Sequence, residues 1–305
     1  MATQRGRCAD RRVLTHVSEP LTMPSLSLLG QSLLSGLLAG GLYGLLGLGL
    51  SLSWGLLRLV NIAHFALAFL GAYITYQVAG VMHQSLIVSL LLILPCFFAF
   101  GMALHWLFKR FGVDEFGSLL VTFGVAVLIE ILLQWFWTAD FRRFETPYGS
   151  ASFRVGSIFV PALELAAFAA AAALAGLTWL WLNRTYVGKA LRASAEDAQV
   201  AAAFGIHHRR LSYVLSGLCA AYAGVAGVFI ALISTLAPAQ IWAWLGVVFA
   251  VVIIGRLGNP LGTFLAGILI GACEGLAMAV LSPAWAPVVS FSILVVILLW
   301  QPKWM

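Results

Sequence analysis

Residues 26–57 run for 32 positions without one charged side chain, and this run limits the fold more than any other feature of the sequence. As one helix it would measure about 48 Å at 1.5 Å per residue, while about 20 apolar residues suffice to cross a bilayer core of about 30 Å. Further apolar runs lie near 60–82, 86–108, 117–137, 162–183, 211–234, 241–256, 261–281 and 286–300. They are apolar on all sides and rich in Leu and Ala, whereas the strands of a transmembrane barrel alternate apolar with polar in short segments. With 62% hydrophobic and 9% charged residues and a mean hydropathy of +1.00, the chain has too little polar surface for a soluble domain. The sequence predicts an all-α, polytopic transmembrane helical bundle of about eight spans, with room for broken or re-entrant helices.

Charge sets the orientation. The net charge of +6 comes from basic residues at span ends and in short loops, which is the positive-inside pattern rather than a nucleic-acid patch. The segment 184–210 carries Arg184, Lys189, Arg192, Arg209 and Arg210 against Glu196 and Asp197, which puts it in the cytoplasm. Lys109 and Arg110, two crossings earlier, fall on the same side, the loop 138–160 falls outside, and the terminal QPKWM falls inside if 241–256 crosses fully. Counting back places Arg58 inside and the N-terminus outside, against the pull of Arg5, Arg7, Arg11 and Arg12. Two resolutions are open: a break or re-entrant turn within 26–57, or a polar leader, residues 1–24, foreign to the mature chain, with Met23 as an alternative start. The second is the better fit. The leader lacks the apolar core of a signal peptide, and the transmembrane domain spans 25–302.

Gly36, Gly40 and Gly44 recur at every fourth position of the first run, and Gly267, Gly271 and Gly275 repeat that spacing late in the chain. Small residues so spaced let helix backbones approach in lipid, where hydrophobicity supplies no association force. Packing is the favoured reading, beside a pathway lined by glycine-interrupted segments in matching halves.

A charge at the bilayer centre costs at least about 2.5 kcal/mol, so charged groups there face protein or water and have partners. Glu274, beside Gly275, is the pathway candidate, with a protonated or hydrogen-bonded structural carboxyl as the other reading. Glu130 lies near midspan and is expected to pair with a neighbouring helix. Asn61 with His64 could hold substrate, the plainer reading being a core histidine satisfied by helix contacts. Arg58 and Arg256 lie near span ends, where a long side chain snorkels. Cys8, Cys96, Cys219 and Cys273 show no metal or CxxC spacing, so no metal site and no redox chemistry follows.

The stretch GKALRASAEDAQVAAAFGIHHRRLSYVLSGLCAAYAGVAGV resembles the cytoplasmic loop and following helix of permease subunits of branched-chain amino acid ABC importers, the LivH/LivM family, the LivH type most closely. The matching positions are Gly188, Lys189, Ala190, Arg192, Ala193, Glu196, Asp197, Ala202, Gly205 and Ile206. GLYGLLGLGLSLSWGLLRLVNIAHFALAFLGAY, GRLGNPLGTFLAGILIGACEG and VVSFSILVVILLWQP are similar to other passages of the same family, in the family's order, over about 25–302. The sequence departs from the pattern at Phe65 and Ala66 after His64, at Arg256 after Gly255, and in stopping at Met305.

The resemblance implies a bacterial inner-membrane importer subunit that works by alternating access. It implies a second, LivM-like permease, two ATP-binding subunits, an external solute-binding protein, and branched-chain amino acids or related small amides as cargo. The segment 184–210 would be the coupling element. Its alanines are small enough to enter a cleft, Lys189, Arg192, Glu196 and Asp197 could make polar contacts at the rim, and Gly188 and Gly205 would bracket its helix. ATP and Mg would bind the partner, because Gly188-Lys189 is followed by Ala190 and completes no phosphate-binding G-x-x-x-x-G-K-[ST] motif. No catalytic constellation is visible, so the chain is not expected to be an enzyme. The competing class is a gradient-driven secondary transporter with Glu130 or Glu274 as its ion site.

Overall fold

The computed structural model describes residues 26–146, 149, 151–155, 158–281 and 285–300. In chain order they form α1 (Leu26–Leu57), α2 (Ala63–Thr75, prolonged by a π-helical turn, Tyr76–Val81), α3 (Leu86–Phe111) and α4 (Glu115–Trp137). A small hairpin of β1 (Ser152–Val155) and β2 (Ile158–Pro161) follows, then α5 (Ala162–Arg184), α6 (Tyr186–Glu196), α7 (Ala198–Ala203) and α8 (His208–Ile233). The 3-10 turn Pro238–Ile241 leads into α9 (Leu245–Ile254), α10 (Pro260–Val280) and α11 (Ala286–Trp300). Among the described residues seven helices are long and apolar enough to cross a membrane, and two shorter apolar helices accompany them.

Local chemistry places the ends. The Asp114 side chain accepts from the Gly117 amide at 2.8 Å to start α4, and Asn259 accepts from Gly262 at 3.3 Å to start α10, with Pro260 at the first helical position. Helix α3 stops at Gly112, whose φ of +61° is left-handed, after Lys109 and Arg110 in its last turn.

The centre of the bundle is the antiparallel seam of α1 against α10. A Cβ at Gly36 would overlap the Gly271 carbonyl oxygen and stand 3.0 Å from the Gly275 Cα, and one at Gly40 would stand 2.8 Å from the Ile268 Cα, beside Gly267. Gly44 meets Phe264, and Gly55 meets Gly258. Backbones this close gain dispersion and permit no larger side chain. A second close seam joins α8 to α2 and α3, where Ser216 donates to the Gly101 carbonyl at 2.9 Å and Gly71 lies against Gly224.

The chain gathers its polar groups at two ends. Arg58, Glu115, the segment 184–210 and the turn at Arg256–Asn259 share one end: Trp54 donates to Glu115, Arg58 to the Ala195 carbonyl, and the Gly258 amide to the Ser51 carbonyl. The hairpin, Arg142, Leu236 and Gln31 share the other: the Gln31 side chain both donates to and accepts from Phe159 at 2.9 Å, and Arg142 pairs with Leu236.

Three expectations change. The first run is one unbroken helix, so a break within 26–57 is not how its 32 residues are accommodated; the basic leader lies outside the described residues. The break falls instead in the run near 241–256, where α-helix begins only at Leu245 after a 3-10 turn and irregular chain. The hairpin was not anticipated; Arg154 lies over the Phe159 ring at 5.3 Å and pairs with that residue across the two strands.

Candidate functional site

The segment 184–210 folds as two short helices, α6 and α7, divided at Asp197, rather than the single bracketed helix. Thr185 caps α6, its hydroxyl accepting from the Gly188 amide at 3.1 Å. Gly188 is therefore inside α6, not at its end, and it is buried so tightly against Leu182 and the Trp181 carbonyl that a Cβ there would overlap them. Asp197 ends α6 and starts α7, its carboxylate accepting from Gln199 and Val200 at 2.9 and 3.0 Å. Gly205, with φ +82°, does terminate α7 in the left-handed conformation.

Ala190, Leu191 and Ser194 turn inward, and Arg192 is drawn back to the Asn183 side chain at 2.6 Å, so it braces α6 on α5. Lys189, Ala193, Glu196, Asp197, Ala202 and Gly205 are exposed, and Ile206 is half-buried. Tyr186, Val200 and Phe204 are also exposed, at 77%, 54% and 80%. These large apolar side chains beyond the bundle were missed by sequence reasoning; their presence in an otherwise polar stretch was the available signal.

The intramembrane candidates do not converge on one place. His64 is enclosed beside Gly49, and its Nε2 donates to the Leu46 carbonyl at 2.9 Å. Its neighbour Phe65 is buried and stacks on Phe249 at 6.2 Å, so this passage is core, and the Asn61 side-chain oxygen is buried without a partner among the described residues. Glu130 accepts from Trp242 at 2.8 Å and from Gln134 at 3.4 Å, which ties α4 to the broken crossing. Glu274 lies on α10, 4% exposed, and accepts from Tyr43 of α1 at 2.9 Å and from Ser290 of α11. Glu274 lines a half-open cavity of about 250 Å³, whose mouth is bordered by the exposed Ala39 and Met278. Cys96, Cys219 and Cys273 are free thiols, and no group of three or more potential metal ligands occurs among the described residues.

The profile of the family described as the permease component of branched-chain amino acid transport systems matches residues 32–298. The chain belongs to this family. It is a multi-pass permease component of an ABC transport system, without a catalytic domain. The gradient-driven alternative gives way to that membership. The high-affinity branched-chain amino acid transport permease LivH of Salmonella typhimurium is 26% identical over 291 residues, covering 89% of this chain and 93% of that protein. LivH of Escherichia coli is 25% identical over 291 residues, with the same two coverages of 89% and 93%. BraD of Pseudomonas aeruginosa is 24% identical over 300 residues, covering 92% and 96%. No solved structure matches the chain.

Within this permease, the glycine seam carries the connection between the two regions described above. Arg58, at the end of α1, has φ +53° and donates to the Ala195 carbonyl of α6 at 3.2 Å. Near its middle α1 holds Tyr43 against Glu274. One helix touches both the exposed segment and the cavity.

Proposed function

We propose that the chain is one half of the membrane pathway of an importer that takes up branched-chain amino acids at the expense of ATP. The other half is a LivM-like permease, two ATP-binding subunits dock at the basic end, and a solute-binding protein delivers cargo at the opposite end. The membrane is the bacterial inner membrane, and the end with Arg58, Lys109, Arg184 and Arg256 faces the cytoplasm. ATP and Mg sit in the ATP-binding subunits.

The observation that carries this reading is the α6–α7 pair: a folded projection at the basic end with exposed apolar side chains among charged ones, fixed to α1 through Arg58 and to α5 through Arg192. An exposed mixture of Phe204, Val200 and Tyr186 with Lys189 and Glu196 has the make-up of a contact surface, apolar side chains interspersed with charged ones. Nucleotide-driven closure of the ATP-binding subunits would push α6, and Arg58 would pass that movement to α1. The seam makes α1 and α10 move as a unit, so the push reaches Tyr43 and Glu274. Asn61 and His64 then belong to the packed junction of α1 with α2 rather than to the cargo path.

The test is co-purification. The double variant Phe204→Ser, Val200→Ser should keep the membrane fold and lose the bound ATP-binding subunit, with at least a tenfold fall in uptake of leucine. Full retention of that subunit by the variant, or leucine uptake that survives deletion of the ATP-binding subunit, would sink the reading.

A further inference from the structure

The cavity beside Glu274 lies between α1, the start of α5, α10 and the irregular stretch that joins α8 to α9. Ser234 and Trp244, at the two ends of that stretch, both line it. Non-helical backbone at membrane depth is tolerated where it is buried in protein or borders a water-filled cavity, and broken helices of this kind frame cargo sites in transporters. Glu274 is 14 residues beyond Pro260, which puts it roughly 21 Å along α10 from the basic end, toward the delivery side.

The lining selects a ligand. Its charged groups are Glu274 and Glu164, and no Lys, Arg or His is among the residues that border it. Glu164 sits in the first turn of α5 and has no hydrogen-bond partner among the described residues, while Glu274 is oriented by Tyr43 and Ser290. A carboxylate has about four acceptor positions, so Glu274 keeps capacity after those two bonds. The Trp244 and Tyr43 rings meet edge to face at 5.7 Å, and Leu38, Leu42 and Met278 form an apolar wall. Two carboxylates without an internal cation, beside aromatic faces and an apolar wall, complement a primary ammonium carried on a short branched chain.

We infer that this cavity holds the ammonium group of the amino-acid cargo in transit, with Glu164 and Glu274 as its two acceptors. The inference rests on the cargo assigned above and adds a residue, Glu164, and a recognised group. Ser35 and Ser234 are the hydroxyl neighbours the cavity offers to the rest of the cargo.

The experiment measures thermal stability of the assembled transporter with two halves of leucine as probes. 3-Methylbutylamine keeps the ammonium and the branched chain; 4-methylpentanoate keeps the carboxylate and the chain. The amine should raise the melting temperature with dose and the acid should not. Glu164→Gln should weaken the amine's effect at least tenfold, and since the Glu164 side chain makes no hydrogen bond to the described residues, it tests the site without breaking a bond within the described bundle. Glu274→Gln should act in the same direction. Amine binding that is unchanged in both variants overturns the inference, as does a response to sodium ions, and not to the amine, that Glu164→Gln abolishes. Should the amine effect follow the two glutamates while wild-type vesicles supplied with ATP fail to accumulate leucine, the ammonium site stands and the assigned cargo falls.

Discussion

Helices α1 and α8 and helices α3 and α4 differ in a way that reverses the rule for soluble proteins. The most hydrophobic windows of α1 and α8 have mean hydropathies of 1.8 and 2.0 and are 67% and 72% buried; those of α3 and α4 reach 2.5 and 2.3 yet are only 22% and 28% buried. The greasier helices are outside. Lipid tails receive a leucine as well as a protein core does, so apolarity does not decide which helix goes to the centre; closeness of approach does. Accordingly α1 and α8 put Gly, Ala and Ser at their contacts, while α3 and α4 present Ile87, Leu91, Leu128 and Trp135 outward.

The sharpest way to break this comparison is to enlarge a glycine in each class. Gly271→Leu, whose Cβ would enter the Gly36 carbonyl, should abolish the folded, protease-resistant protein in membranes. Gly124→Leu on α4, where nothing lies within 4 Å of the added atom, should leave yield and melting temperature unchanged. Equal outcomes would show that the seam is not what centres α1. Truncating the fully buried Leu45 to Ala should cost about 2 kcal/mol in reversible unfolding from mixed micelles, mostly as a cavity term. Trp242→Phe removes the bond to Glu130 that holds the broken crossing to α4 and should cost about 1 kcal/mol in the same assay. Leu128→Ala, on the outward face of α4, should change stability by less than about 0.5 kcal/mol.

The helices were legible because run length is what a bilayer demands. The run at 162–183 became Ala162–Arg184, and that at 286–300 became Ala286–Trp300. Where the chain breaks was not legible. The over-long first run suggested a break, yet α10 matches it backbone to backbone from Gly36 to Gly44, whereas the run near 241–256 is equally apolar and starts with a 3-10 turn. Hydropathy carries no information about partners, and the partner decides. Within the exposed segment Asp197 reads as a polar rim residue, although an aspartate ahead of Ala-Gln-Val is also a helix start, and that local role is the one it fills. Glu164 resembles any acid in a first helical turn; its cavity is assembled from residues between 35 and 278, which no local pattern displays.

The seam also orders the birth of the molecule. Tyr43 and Glu274 are 231 residues apart, so at about 5 to 20 residues per second α1 waits roughly 10 to 50 s in the membrane before α10 exists to meet it. During that interval its glycine face has only lipid and the helices already made for company. A chain that ends before Pro260 is thus a bundle whose first helix lacks the partner of its glycine face, and it is the kind of product that membrane proteases should recognise first.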